Sequence, residues 1–188
     1  MSNTATMDVH AIPSSSGVSN AKLGVWLFLA SEVMLFATLF TTYIVLRVAA
    51  ASWPRGWEEL NVPLAMVNTF VLITSSVTMV LAYAKVIEKD LAAFRKYMLL
   101  TIGLGLLFLV FKGFEYSAHF AHDQWPSTNI FNAVYFTLTG LHCLHIIGGL
   151  FVNGGLLYMA GSDFKHPLFA GRIEGAGLYW HFVDVVWI

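Results

Sequence analysis

A single carboxylate, Glu32, interrupts an otherwise uncharged run from Leu23 to Leu46, LGVWLFLASEVMLFATLFTTYIVL. At about 1.5 Å of rise per residue, a helix of that length crosses a hydrocarbon core of about 30 Å and puts Glu32 near the midplane. Ionisable groups at that depth are costly and are, by default, functional. The helical neighbours of Glu32, among them Val25, Phe28, Leu29, Leu35, Phe36 and Leu39, are all apolar. Glu32 is therefore expected to be protonated or to borrow a donor from another helix, with His142, His145 and His181 as candidates. Two roles are open to it: proton handling, or tying two helices together as a neutral acid.

His142 and His145 lie in one later apolar segment, His181 and Asp184 in another. Imidazoles and carboxylates carry protons and bind metals. At 100° per residue, Tyr135, Leu138, His142, His145, Gly149 and Asn153 share one helical face, a polar and small-residue seam that belongs inside a bundle. His181 and Asp184 are spaced to meet as a hydrogen-bonded pair, with Gly177 on the same side letting a neighbour approach. Haem or metal binding is disfavoured. His142 and His145 point the same way and cannot be both axial ligands of one haem, and no second HxxH or ExxH completes a dinuclear site. Hydrogen bonding among the histidines, the backbone and interfacial partners is the simpler expectation. Lys112 and Glu115 have i,i+3 spacing, with His119 one turn further, and read as interfacial or lipid-facing chemistry. Trp53, Trp57 and Trp125, each near a proline, suit an interfacial aromatic belt.

The elements that must hold these groups are apolar segments at Leu23 to Val48, Pro63 to Val86, Tyr97 to Phe114, Ile130 to Met159 and Ala176 to Ile188. Their lengths indicate helices rather than barrel strands, because backbone amides cannot stay unpaired in lipid. The fold class is thus all-α, a five-helix transmembrane bundle. The last segment, with about thirteen residues, is too short to span comfortably, so the chain either ends within the bilayer or continues beyond Ile188. Residues 1–22 read as a polar tail rather than a signal peptide.

With 57% of the 188 residues apolar and only 11% charged, little remains for a separate soluble catalytic domain. A net charge of -1 with no extended basic cluster argues against nucleic acid. Seven cations, Lys22, Lys85, Lys89, Arg95, Lys96, Lys165 and Arg172, fall on one side of the five-span arrangement, against Arg47, Arg55 and Lys112 on the other. The N-terminus and its tail are therefore expected to be cytoplasmic. Cys143, the only cysteine, reads as a small buried residue.

Three stretches, LGVWLFLASEVMLFATLF, YFTLTGLHCLHIIGGL and YWHFVDVVWI, resemble subunit III of haem-copper terminal oxidases, in the same order over nearly the whole chain after the tail. WPRGW, NTFVLITSSVT and KGFEYSAH fit the same family, in its bacterial five-helix form. The resemblance implies an accessory subunit in the bacterial cytoplasmic membrane that binds no haem or copper itself. These cofactors would belong to partner subunits I and II, in an assembly that extends in some cases to a respiratory supercomplex. It implies a V-shaped cleft filled with phospholipid and associated with oxygen access, proton uptake and protection against turnover inactivation. Glu32 matches the buried acid of the SEV motif, His142 and His145 the HxxH, and His181 with Asp184 the WHFVD. Cys143 stands where glycine is common, and the fifth segment stops earlier than in other members. A quinol-oxidase subunit III and a nitric-oxide-reductase accessory protein remain alternatives. From other classes, so do a proton-coupled transporter, although no internal repeat is visible, and a bis-histidine cytochrome.

Overall fold

A computed structural model of the chain describes residues 20–50, 52–54, 62–121, 123 and 125–188. The described residues form helices and turns, with helices α1 (Asn20–Ala49), α2 (Val62–Ile87), α3 (Leu91–Ala121), α4 (Ile130–Met159) and α5 (Pro167–Trp187). The first four are long and apolar enough to cross a membrane. α5 has 21 residues, about 31 Å of helix, but carries Arg172, Glu174 and Asp184, of which only Asp184 is buried. Among the described residues the architecture is a five-helix membrane bundle.

Several helices outrun their apolar segments because hydrogen bonding, not apolarity, decides where a helix stops. α3 starts at Leu91, where the Asp90 carboxylate caps the Ala93 amide at 3.0 Å, and continues through Arg95 and Lys96. α5 starts nine positions before its apolar run. Pro167 occupies the first turn, where it has no amide to leave unpaired, and the His166 ring accepts from the Leu168 amide at 3.2 Å. α4 is capped by Asn129, whose side chain accepts the Asn132 amide at 2.6 Å.

α2 and α3 form a tight antiparallel hairpin. The Asp90 amide bonds back to the Lys85 carbonyl at 3.0 Å, while Lys89 takes a left-handed φ of 60°. This is a Schellman stop with lysine at the position glycine usually fills. α4 packs on α3 and α5, and α5 on α2 and α4. α1 reaches only α5 and α4 to any extent and buries just Leu29 and Phe36.

The centre of the bundle is Trp180 of α5, fully buried. Its indole is wedged between two helices at glycines. A Cβ at position 149 would lie 2.7 Å from Trp180 Cζ3, and one at position 105 would lie 3.0 Å from Cη2. The indole Nε1 donates to Ser75 Oγ of α2 at 2.8 Å, so one side chain joins four helices. In lipid, where water does not drive helices together, close steric fit and hydrogen bonds supply the association. Gly177, expected to admit a neighbour, is not in that position: a Cβ there would meet Met79 only at 3.8 Å, an ordinary contact. The near-backbone approach is at Gly105 and Gly149 instead, because there a flat ring rather than a flexible methionine faces the helix.

Gly149→Ala is expected to destabilise the bundle by about 1–3 kcal/mol through overpacking against Trp180. Gly177→Ala should unfold with the parent. Thermal unfolding in one detergent, followed by helical circular dichroism, compares the two.

Candidate functional site

Glu32 finds its partner on α4: Oε2 lies 2.8 Å from His145 Nε2, and both side chains are 14% exposed. His145 Nδ1 lies 2.8 Å from the Leu141 carbonyl oxygen, which can only accept, so Nδ1 carries a hydrogen. One proton therefore lies between Oε2 and Nε2. It resides either on a neutral acid facing a neutral imidazole or on an imidazolium facing a carboxylate. The Phe36 ring meets the imidazole edge-on at 5.1 Å, and Tyr179 donates its hydroxyl to the His145 carbonyl at 3.0 Å. The polar contact is thus walled by rings from α1 and α5.

Below this pair, α1, α4 and α5 enclose a cleft of about 740 Å³, walled by Val25, Phe28, Gly148, Val152, Leu178 and Tyr179. Lys22, Arg172 and Glu174 line it as well, with Lys22 Nζ 2.6 Å from Glu174 Oε1. Phe28 and Gly148, which line the cleft, stand one helical turn from Glu32 and His145.

His142 does not share the surroundings of His145. It is buried between Phe108, at 5.6 Å between ring centroids, and Trp187, at 5.0 Å. Neither ring nitrogen has a hydrogen-bond partner among the described residues. Three residues of helix turn the two side chains about 60° apart, enough to send one toward α1 and the other toward α3 and α5. The expectation that the histidines satisfy each other is therefore corrected.

His181 and Asp184 do not pair either. His181 Nδ1 meets the Ser76 hydroxyl of α2, and both Asp184 oxygens, although buried, lack a hydrogen-bond partner. α2 passes close enough to intercept the imidazole, which prevents the i,i+3 pair from closing.

The reading of Lys112 and Glu115 as lipid-facing is also overturned. They do pair, at 2.9 Å, but with side chains only 4% and 8% exposed. Lys112 also donates to the Tyr135 hydroxyl at 3.2 Å and lies 4.7 Å from the Trp187 ring centroid, while the Tyr135 hydroxyl donates to Glu115. Two charges can stay inside this bundle because α4 and α5 supply a phenol and an aromatic face. His119 rests against the Tyr135 and Phe136 rings at 5.6 and 6.0 Å. Trp53 is half-buried, edge-on to both Tyr43 and Phe131, and connects α1 to α4. Trp57 lies outside the described residues.

Sequence reasoning missed Ser75, Ser76 and Thr69, the α2 hydroxyls that receive Trp180, His181 and Trp187 respectively. A signal was present, since Asn68, Leu72, Ser75 and Met79 recur with helical period and mark a buried face bearing polar groups. No group of three or more His, Cys, Asp or Glu suited to a metal ion occurs among the described residues. His145 uses both its nitrogens, and aromatic rings flank His142, so this donor set does not fit haem ligation.

Lys112→Met should cost about 3–5 kcal/mol, because it leaves Glu115 as an unpaired buried charge. Adding Glu115→Gln should restore most of that loss, since the amide oxygen still accepts from Tyr135. Denaturant titration of the two variants in detergent measures both effects.

The sequence profile described as cytochrome c oxidase subunit III matches residues 2–188. Cytochrome c oxidase subunit 3 of Synechocystis sp. is 37% identical, over 88% of this chain and 70% of that protein. The proteins of the same name from Alkalihalophilus pseudofirmus and Corynebacterium diphtheriae are 36% and 35% identical, over 90% and 88% of this chain and 82% of each of them. A match over nearly the full length, to a family of membrane helical bundles, means that the chain belongs to the cytochrome c oxidase subunit III family.

Proposed function

We propose that the chain is the accessory subunit of a proton-pumping haem-copper terminal oxidase, without a redox centre of its own. Subunit I would reduce oxygen to water at its haem and copper, and subunit II would receive the electrons. The complex would sit in the bacterial cytoplasmic membrane with the N-terminus of this chain inside, as the excess of cations on the side of Lys22, Lys85 and Lys165 supports. The observation that carries the reading is an apolar cleft whose walls at Phe28 and Gly148 stand one helical turn from a largely shielded acid and imidazole that share one proton.

An apolar space is a better medium for oxygen than water, and the cleft between α1, α4 and α5, about 740 Å³, has the apolar walls that acyl chains would fill. Lys22 and Arg172 at its charged end would meet phospholipid headgroups, and the chains would fill the walls formed by Phe28, Val152 and Leu178. Glu32 and His145 would then act at the inner end, holding α1 in place and relaying a proton when the pair changes from neutral to charged. His142, Lys112 and Glu115 belong to the supporting interior. None of these groups needs to touch oxygen for the subunit to affect how long its partner keeps turning over.

Glu32→Gln is the direct test, because the amide donates to His145 Nε2 and keeps α1 attached yet cannot give up a proton. The complex should assemble and start at the parental rate of oxygen reduction. Proton uptake, or the number of turnovers before inactivation, should fall severalfold. Parental values of both would reduce Glu32 to a packing residue.

A further inference from the structure

We propose that Asp184 is a second proton-binding site, separate from Glu32 and His145, connected through one internal water and the Ser76 hydroxyl to His181 at the face of the bundle. The site lies where α2 packs on α5. The Trp180 indole donates to Ser75 at one end at 2.8 Å, and the Trp187 indole donates to Thr69 at the other at 3.1 Å. Asp184 sits between these two tryptophans on α5, 4% exposed, with both carboxyl oxygens unpartnered. Ser76 Oγ is engaged with His181 Nδ1, and Asp184 lies one turn of α5 beyond His181. Asn68, fully buried one turn beyond Leu72 on the same face of α2, adds an amide whose oxygen and nitrogen are also unpartnered.

Buried polar groups are nearly always satisfied, and a polar interior with several unpaired donors and acceptors is where internal water binds. A water between Ser76 and Asp184 completes an unbroken chain. A proton taken up at His181 Nε2 lets the ring give its Nδ1 proton to Ser76 Oγ as the serine hydroxyl proton passes to the water. A water proton then lands on an Asp184 oxygen. One proton moves, leaving His181 neutral with hydrogen on Nε2, Ser76 and the water regenerated, and Asp184 as the neutral acid. His181 is half-buried, so it is the point of exchange. At membrane depth a proton reaches it only where a polar partner replaces lipid, and in that respect the inference rests on the proposed oxidase assembly.

Infrared difference spectra of the purified complex, recorded as light water is replaced by heavy water, test the relay. The parent should show a protonated-carboxyl band that shifts on exchange, and Asp184→Asn should remove it. Ser76→Ala should keep the band but slow its exchange about tenfold, the kinetic equivalent of losing one hydrogen bond. An Asp184→Asn spectrum identical to the parent's would overturn the site. Where that variant does not assemble, Ser76→Ala decides alone: a carboxyl band whose exchange slows supports the relay, and parental exchange of every carboxyl band refutes it. Failure of the parent chain to co-purify with oxidase subunits would count against the assembly instead, so the two failures are distinct.

Discussion

Everything α5 does depends on the seat of Trp180. A ring that enters two glycine-lined gaps and donates to Ser75 fixes the rotation and depth of α5 against α2, α3 and α4. From that seat, Tyr179 reaches the His145 carbonyl, His181 reaches Ser76, and Trp187 lies over Lys112 and against His142. The charged Lys112–Glu115 pair is tolerated for the same reason, since α5 covers it. Membrane helices do not gain from hydrophobic exclusion against each other, so a few such steric and polar joints carry the specificity of the fold.

α1 is joined differently. With only Leu29 and Phe36 buried, it is held by point contacts: Glu32 on His145, Phe36 on Phe182 at 6.2 Å, Phe28 on Tyr179 at 5.9 Å, and Lys22 on Glu174. The last is exposed and solvent-screened, so the better shielded Glu32–His145 contact dominates. Space remains between α1 and the rest because no residue there plays the role of Trp180. The cleft and the proton pair are thus two results of one loose joint. A helix that packed fully would have closed the apolar space, and one without Glu32 would have lost its main polar attachment.

The helices were legible because lipid forces helix formation and apolar length reports it directly. Their ends were less so: charged residues such as Arg95 and Arg172 interrupt hydropathy but not backbone hydrogen bonds. Glu32 was identifiable as a residue in need of a donor, yet three histidines competed for it. His142 and His145 differ by only about 60° around their helix, near enough to read as one face, so the choice required the third dimension. The same limit hid Ser76 between His181 and Asp184, because a residue on another helix has no fixed spacing to either. Lys112 and Glu115 looked interfacial from their i,i+3 spacing near the end of an apolar segment. Their burial follows from Tyr135 and Trp187, which no local pattern connects to them.

Haem and copper content per subunit I, measured before and after this chain is released by detergent, tests the central claim most directly. If the chain only shapes the surroundings of a redox neighbour, both contents and the initial rate of oxygen reduction stay unchanged when it leaves. A stoichiometric haem or copper departing with the chain would contradict the account.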